Sequence, residues 1–366
     1  MIKDKILIFH SFTPNINIGG PTGFFAHNLI GSKGKNYILS SQLQKRNKFI
    51  DKVSKKIKLL INNNSNNYFK NELERISNVY LTHRCSDFKI IFFHTCFELY
   101  ACRHFLKKNQ IIILQSHSPE LPSEELKWIS KNEGEILFMK EIEKFSFDRA
   151  QYIVFPNEGC VPIYNSVLKA EHKLEFLLSG SKRNETAFEY PLDKSKINIL
   201  YIGRRNTIKG FDIILDNFKK VYELRKDIRL IVVGSGDSFE QEGVVDVGFS
   251  STPLTWFNSV DYVINSNRQS YFDLSILEVL SIGTPIIMAS NFGHAFFKGK
   301  SMGILTFEDE GKGLFDILIQ LEKDEIKKAQ MIRENLKLYS DLFTDAHYQE
   351  RLEEMSKRII INSDYE

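Results

Sequence analysis

A series of short apolar runs, alternating with longer amphipathic segments, constrains the fold more than any other feature of the sequence. The runs are rich in β-branched and aromatic residues, and in chain order they read KILIF, IIFF, IIILQ, YIVF, INILYIG, RLIVVG, YVIN and TPIIMA. Parallel strands that are buried on both faces and joined by crossover helices have this pattern. The sequence therefore predicts an α/β protein built on parallel sheets.

The pattern is interrupted between Tyr190 and Lys196, before the run INILYIG begins. A chain of 366 residues with 42% hydrophobic residues is long enough for two separate cores. We therefore expect one domain over residues 1–190 and a second over residues 191–345. The charged tail predicts a helix within residues 346–366, and we expect this helix to pack back on the first domain.

The cysteines and the N-terminus indicate the compartment. The four cysteines show neither CxxC pairing nor the spacing of metal ligands, which favours reduced thiols in a cytoplasmic protein. The apolar run Ile6–Phe9 is too short for the core of a signal peptide or for a membrane span. We expect a cytoplasmic protein with no nucleic-acid partner.

Residues 42–61 form a strongly basic segment. It holds six lysines and one arginine against Asp51 alone, and its apolar residues recur at helical spacing. A solvated helix that packs its apolar side on the core explains this pattern, and so does a helix that binds an anionic membrane surface. The sequence leaves both interpretations open, and we take peripheral attachment to the inner face of the membrane as the prediction to be tested.

Ligands of open parallel sheets bind beyond the carboxyl ends of the strands, so these ends are the places to look for a site. The first one continues as FTPNINIGGPTGF, where Gly19 and Gly20 precede a predicted helix. Glycines allow close approach of the backbone, and the amides at a helix N-terminus can hold an anion. A glycine turn that only reverses the chain has the same sequence, so this signal alone leaves both possibilities open.

The first strand end of the second domain is more informative. After ILYIG come Arg204, Arg205 and Lys209, and a helix with Asp212 in its first turn follows. Cations beside the positive end of a helix dipole repel one another unless an anion is present. A diphosphate would neutralise them, whereas the alternative is a set of solvated surface cations.

Several pieces of the second domain together resemble a known family. They are GR and KG with Arg204 and Lys209 five residues apart, VVGSG at 232–236, VGF at 247–249 and LEVLSIGTPII at 277–287. Their order and spacing resemble the retaining nucleotide-sugar glycosyltransferases of family 4. That resemblance implies the GT-B fold, in which two Rossmann-like parallel-sheet domains face each other across a cleft.

The resemblance implies a nucleotide-sugar donor site on the second domain. Glu278 would accept hydrogen bonds from the ribose hydroxyls, and Arg204 and Lys209 would meet the diphosphate. The full set of donor-binding residues implied is Gly19, Gly20, Arg204, Lys209, Gly248, Phe249, Ser270, Phe272, Asp273, Leu274 and Glu278.

Two positions depart from the family pattern. Ser270 stands where the family usually carries a Glu, eight residues before Glu278, and Asp273 stands where many members have Gly. Either Ser270 or Asp273 takes over a polar contact to the sugar, or Asp273 serves only as the N-cap of the following helix.

Two histidines, His94 and His117, follow predicted strands of the first domain. A single His at such a position is more often structural than catalytic, so the residues alone leave both roles open. By resemblance, the His after the later strand lies near the sugar, so we expect His117 to act in catalysis with Arg204 and Lys209. We expect His94 and Glu158 to contact the acceptor.

Retention at the anomeric carbon is implied, with the leaving phosphate helping to deprotonate the acceptor. No DxD pair stands at a strand end, and Arg204, Lys209 and helix dipoles can balance the charge of the leaving diphosphate, so the sequence predicts no metal. It predicts no cofactor, because the nucleotide-sugar is itself a substrate. The predicted activity is therefore transfer of a sugar from a nucleoside diphosphate donor, such as a UDP-sugar, to a surface glycan or lipid-linked acceptor of capsule or lipopolysaccharide.

A non-catalytic GT-B subunit that binds a glycan or a partner enzyme is the first alternative. A hydrolysing nucleotide-sugar epimerase is the second.

Overall fold

A computed structural model describes residues 2–43, 67–183 and 188–363. The chain forms two compact bodies, of which the first comprises Met1–Leu178 with Tyr348–Glu366 and the second Ser179–His347. The division therefore falls before the boundary expected at residue 190, and the last helix belongs to the first body from Tyr348 onward.

The first body contains a six-stranded sheet in the order β2-β1-β3-β4-β5-β6. Each pair of neighbouring strands is parallel. The strands are β1 (Ile6–Phe9), β2 (Tyr37–Leu39), β3 (Ile90–Phe93), β4 (Ile111–Gln115), β5 (Tyr152–Phe155) and β6 (Lys173–Phe176). The central strands β1, β3 and β5 are buried along their whole length, as apolar runs in a parallel sheet require.

The helices of the first body flank this sheet. They are α1 (Gly20–Asn28), α2 (Asn67–Thr82), α3 (Cys96–Ala101), α4 (Pro122–Leu126), α5 (Glu133–Arg149) and the C-terminal α11 (Asp345–Ser363). Helix α11 packs through Tyr348, whose ring lies 5.2 Å from that of Phe24 in an edge-to-face contact. The carboxylate of Glu353 also accepts a hydrogen bond from the backbone N–H of Asn36 at 2.9 Å.

The second body contains another six-stranded parallel sheet, in the order β12-β11-β10-β7-β8-β9. Its strands are β7 (Ile197–Ile202), β8 (Ile228–Val233), β9 (Val244–Gly248), β10 (Tyr262–Asn265), β11 (Ile286–Ala289) and β12 (Ile304–Phe307). Its helices are α6 (Phe211–Leu224), α7 (Pro253–Ser259), α8 (Leu274–Ile282), α9 (Leu314–Ile319) and α10 (Glu325–Leu342). These helices and strands share one core, in which the buried Ile214, Phe218 and Leu314 of α6 and α9 pack on the sheet.

The basic segment predicted at residues 42–61 lies outside the described residues from position 44 onward. Within the part of the chain that is described, no helix is long and apolar enough to cross a membrane. The membrane prediction therefore stays a prediction.

Candidate functional site

The carboxyl ends of β7 and β8 lie very close together in the second body. Gly234 follows β8 with φ +135°, and a Cβ on this residue would lie 2.0 Å from the carbonyl oxygen of Gly203, which follows β7. A side chain at Gly234 is therefore excluded both by its backbone conformation and by the neighbouring loop. This close approach fixes the loop that carries Arg204, Arg205 and Lys209.

Arg205 has an internal partner. Its guanidinium forms a bidentate ion pair with Asp246, and the Nη1–Oδ2 distance is 2.8 Å. The Arg205 side chain is only 5% exposed, so this pair holds β9 against the β7 loop. The expectation that this cation needs an external anion is wrong for Arg205.

Arg204 differs from its neighbour. It is exposed, and among the described residues its side chain forms no hydrogen bond or ion pair. The Tyr201 hydroxyl donates to the Arg204 carbonyl oxygen at 2.5 Å, which fixes the backbone of Arg204 without engaging its guanidinium. Arg204 is therefore placed at the sheet edge with its charge available to a ligand.

Lys209 is held by a carboxylate of its own body. Its Nζ lies 3.2 Å from Oδ2 of Asp273, and the amide of Asn267 donates to the same oxygen at 2.6 Å. Burial by itself would raise the pKa of Asp273, but the Lys209 ammonium and these hydrogen bonds lower it to about 2. The pair joins the α6 loop to the start of α8 and leaves Asp273 ionised at neutral pH.

Asp273 occupies the N-cap position of α8, but its side chain makes no capping hydrogen bond. The N-cap alternative therefore does not explain the side chain, which instead binds Lys209. The backbone N–H of Asp273 points to Nε2 of His294 at 3.3 Å, and burial lowers the pKa of that histidine to about 4. Leu274 begins the helix directly after it.

The loop before α8 is buried and strained. Phe272 has φ +134°, which non-glycine residues rarely adopt and which costs about 1–3 kcal/mol. Its ring stacks on Phe297 at 5.0 Å, and this packing offsets part of the cost.

The Ser270 side chain is fully buried, and its hydroxyl finds no partner among the described residues. Ser270 thus leaves a polar atom unsatisfied inside the loop.

Three further predicted donor residues, Glu278, Gly248 and Phe249, lie on the same body. Glu278 is partly buried on α8, about one turn after the loop that holds Asp273. Gly248 ends β9 with φ +74°, and Phe249 directly after it is 81% exposed. An aromatic ring this exposed at a strand end offers an apolar face to a ligand.

In the first body, Gly19 and Gly20 are exposed and begin α1. Gly20 has φ +66°, and a Cβ on either glycine would meet no other atom within 4 Å. Space at these positions is therefore open to a ligand. By contrast, a Cβ on Gly23 would lie 2.1 Å from the Ile18 carbonyl oxygen, so that glycine is required by packing.

His94 and His117 lie in contact at the ends of β3 and β4. Nδ1 of His94 is 2.9 Å from Nε2 of His117. His94 is fully buried, so the acceptor contact predicted for it is not supported; His117 is partly exposed. Burial lowers the pKa of both rings, for His117 to about 3, so both are neutral at physiological pH. Glu158 is exposed three residues after the end of β5, and its contact with the acceptor stays a prediction.

A cluster at the end of β1 was missed from the sequence. The buried carboxylate of Glu98 accepts hydrogen bonds from the backbone and the hydroxyl of Ser11, both at 2.7 Å, and burial raises its pKa to about 7. His10, which follows β1 as His94 follows β3, bonds through its two ring nitrogens to Phe12 and Ser41. The position of His10 after an apolar run was a signal that could have identified it.

Among the described residues no group of three or more His, Cys, Asp or Glu side chains is placed to hold a metal ion.

Comparison with known proteins finds a match over the part of the second body that carries Arg204, Lys209 and Glu278. Residues 196–324 match the family model for glycosyl transferases group 1. A capsular polysaccharide biosynthesis glycosyltransferase, CapM of Staphylococcus aureus, is 21% identical over 229 residues, which cover 55% of this chain and 60% of that protein. An uncharacterized 41.2 kDa protein in the cps region of Klebsiella pneumoniae is 28% identical over 158 residues, 41% of this chain and 42% of the relative. The chain thus spans about half the length of these relatives.

A solved structure extends the likeness to nearly the whole chain. Anabaena HepE, crystallised with UDP and glucose, has a TM-score of 0.64 at 12% identity and covers 96% of this chain and 98% of its own. At this identity the likeness shows the fold alone. The prediction of two Rossmann-like parallel-sheet domains of the GT-B class is confirmed.

Proposed function

We propose that this protein is a retaining glycosyltransferase that moves a sugar from a nucleoside diphosphate donor to a glycan or lipid-linked acceptor. The observation that carries the proposal is Arg204, which is exposed and has no side-chain partner among the described residues. It lies beside Lys209, within the residues that match the glycosyltransferase family model. A cation at the end of a parallel strand, ahead of a helix N-terminus, suits a diphosphate. A charge-assisted hydrogen bond to such a group contributes about 1.5–3 kcal/mol.

In the proposed reaction the bond between the anomeric carbon and the phosphate oxygen breaks. Arg204 and Lys209 stabilise the negative charge that develops on the departing diphosphate, so the reaction needs no metal and no cofactor. The acceptor hydroxyl attacks the same face of the sugar, and its proton passes to a phosphate oxygen of the leaving group. Configuration is therefore retained without a nucleophile from the protein.

The other predicted residues take roles around this step. Glu278 accepts hydrogen bonds from the ribose hydroxyls of the donor, and Phe249 offers an apolar face to its base. We assign His117 to the sugar being transferred and Glu158 to the acceptor.

The names of the relatives favour a capsular polysaccharide as the product, because CapM is a capsular enzyme and the Klebsiella relative is encoded in a cps region. Attachment to the inner face of the membrane through residues 42–61 would keep the enzyme beside a lipid-linked acceptor.

Calorimetry with nucleoside diphosphates tests the donor half of the proposal. Arg204→Ala should weaken UDP binding at least tenfold, because it removes a charge-assisted contact of about 1.5–3 kcal/mol. Lys220→Ala, which removes an exposed lysine of α6, is the matched control and should leave affinity unchanged. Equal affinity in all three proteins would remove Arg204 from the donor site.

A binding protein without catalytic activity is the second candidate, and Ser270 is the observation that favours it. Its buried hydroxyl stands where the related transferases usually carry a carboxylate. Tight binding of a nucleotide-sugar with no turnover, in the presence of suitable acceptors, would support that candidate over the transferase.

A further inference from the structure

We propose that His94 is a positioning residue that holds His117 in the tautomer with its proton on Nδ1. His117 then acts towards the substrate as a neutral hydrogen-bond donor and not as a base. The contact with substrate rests on the proposed function, whereas the tautomer is a property of the protein alone.

The two rings are brought together by neighbouring strands. Strands β3 and β4 pair in register, with Phe93 opposite Leu114, and each strand ends shortly before one of the two histidines. The ring planes are inclined by 13°, and Nδ1 of His94 lies 2.9 Å from Nε2 of His117. This distance is that of a normal hydrogen bond, so one proton lies between the two nitrogens.

Aromatic rings enclose His94 and leave it no freedom to turn. It stacks on Phe92 at 4.3 Å and meets the edge of Phe25 at 4.7 Å. The side chain is fully buried, and its Nε2 has no hydrogen-bond partner among the described residues. His117 is covered by Phe24 at 4.4 Å on one side but stays partly exposed.

The location of the shared proton follows from the buried Nε2 of His94. A neutral imidazole carries one proton, so a proton on this nitrogen would place an N–H in an apolar pocket with no acceptor. Buried N–H groups without a partner are rarer than buried acceptors without one. The proton of His94 therefore lies on Nδ1 and is donated to Nε2 of His117. His117 must then carry its own proton on Nδ1.

Neighbouring groups do not change this assignment. His10 is engaged on both sides, because Nδ1 bonds to the Phe12 carbonyl and Nε2 to the Ser41 hydroxyl, each at 3.0 Å. A carbonyl accepts only, so His10 carries its proton on Nδ1 and neither nitrogen can serve His94. Burial also lowers the pKa of His10 and keeps the ring neutral.

The consequence for chemistry is specific. Nδ1 of His117 forms no hydrogen bond to any described residue, so its N–H is available to an oxygen of the substrate. Sugar hydroxyl and ring oxygens accept such a bond. A neutral donor keeps the same charge across the physiological pH range, so His117 adds no acidic limb to the pH profile.

Nitrogen-15 NMR of the full chain with labelled histidine tests the tautomer directly. We expect the His117 signals to show a protonated Nδ1 and an unprotonated Nε2, unchanged between about pH 6 and pH 8. A protonated Nε2 on His117 would overturn the proposal. His104→Asn, at an exposed position of the same body, is the control that should leave the His117 signals unchanged.

Substitution of His94 tests its positioning role. The amide nitrogen of Asn takes the place of Nδ1, so His94→Asn should keep the hydrogen bond and kcat within a few-fold of the native value. His94→Phe keeps the ring but removes the donor, so kcat should fall about tenfold or more with little change in the KM for the donor.

A His94→Phe protein with native kcat and an unchanged His117 spectrum would contradict the positioning role. If His94→Phe fails to fold, the spectrum of the native protein still decides the tautomer. If the native protein transfers no sugar yet shows the Nδ1 proton, the proposed function fails and the tautomer stands.

Discussion

The ion pair between Lys209 and Asp273 makes an unusual prediction for Asp273→Asn: the protein should lose stability and gain affinity for a nucleoside diphosphate. The pKa of Asp273 falls from 3.8 to about 2 in the folded protein. At about 1.4 kcal/mol per pKa unit, the ionised carboxylate stabilises the fold by about 2 kcal/mol at neutral pH. Both side chains are less than a quarter exposed, so solvent screening removes little of this.

The affinity should change in the opposite direction. In the structure Lys209 lies 3.2 Å from the carboxylate, and a phosphate oxygen would approach the same ammonium at about 2.8 Å. The two anions would then lie within about 6 Å. At an effective dielectric constant of about 20, the repulsion between two unit charges at this distance amounts to about 2.8 kcal/mol, so its removal should strengthen UDP binding about a hundredfold.

Thermal unfolding at several pH values and calorimetry with UDP provide the assay. UDP is chosen because it lacks the sugar, so a contact between Asp273 and the sugar does not affect the measured affinity. Because the folded pKa is depressed, the stabilisation is present above the unfolded pKa near 4 and is lost as the pH falls towards 2. The gap in stability between native protein and variant should therefore close over that range.

The matched control is Asp216→Asn, which removes an exposed carboxylate of α6. It should change neither stability nor affinity. If the Asp273→Asn protein melts like the native one at pH 7, or binds UDP more weakly, Lys209 does not contact both Asp273 and the diphosphate.

Three further predictions separate structural from ligand-binding groups. Arg205→Ala should lower the free energy of unfolding by about 3 kcal/mol, because it leaves Asp246 unpaired, whereas Arg204→Ala should leave thermal unfolding unchanged. Glu278→Gln should weaken nucleotide binding at least tenfold with little loss of stability, and normal affinity with a lower melting temperature would show a structural role instead. Changing the cations of residues 42–61 to Gln should abolish salt-sensitive binding to anionic vesicles, and equal binding at low salt would exclude the membrane role.

The sequence predicted the central strands of both sheets and missed all four edge strands. Each apolar run that was identified became a strand, because a central parallel strand is buried on both faces and must be apolar throughout. The edge strands are β2, β6, β9 and β12. Of these, β6 and β9 are largely exposed or half-buried. Charged residues interrupt β6 (KLEF) and β9 (VVDVG), and a threonine interrupts β12 (ILTF). The three apolar residues of β2 are too few to stand out as a strand, so no long apolar run marks any of the four.

The cations predicted to bind the donor follow β7 in the structure, but the ion pairs of this region were not foreseen. Asp246 and Asp273 lie 41 and 64 residues from the cations that they hold, and the sequence alone gives no signal for such pairs. The contact between His94 and His117 was not foreseen for the same reason: it joins residues that are apart in the sequence. It depends on β3 and β4 being neighbours in the sheet and on Phe24 and Phe25 covering the rings, which only the three-dimensional structure shows.

The transferase proposal is tested most directly by incubating the purified protein with a panel of nucleotide-sugars and following the products by NMR. We predict that one donor is turned over slowly without acceptor, releasing nucleoside diphosphate and free sugar. With a glycan or lipid-linked acceptor, the sugar should appear in a glycosidic bond of the same anomeric configuration. Arg204→Ala should abolish both reactions. Formation of an epimerised sugar, inversion at the anomeric carbon, or the absence of turnover with every donor and acceptor would contradict the proposal.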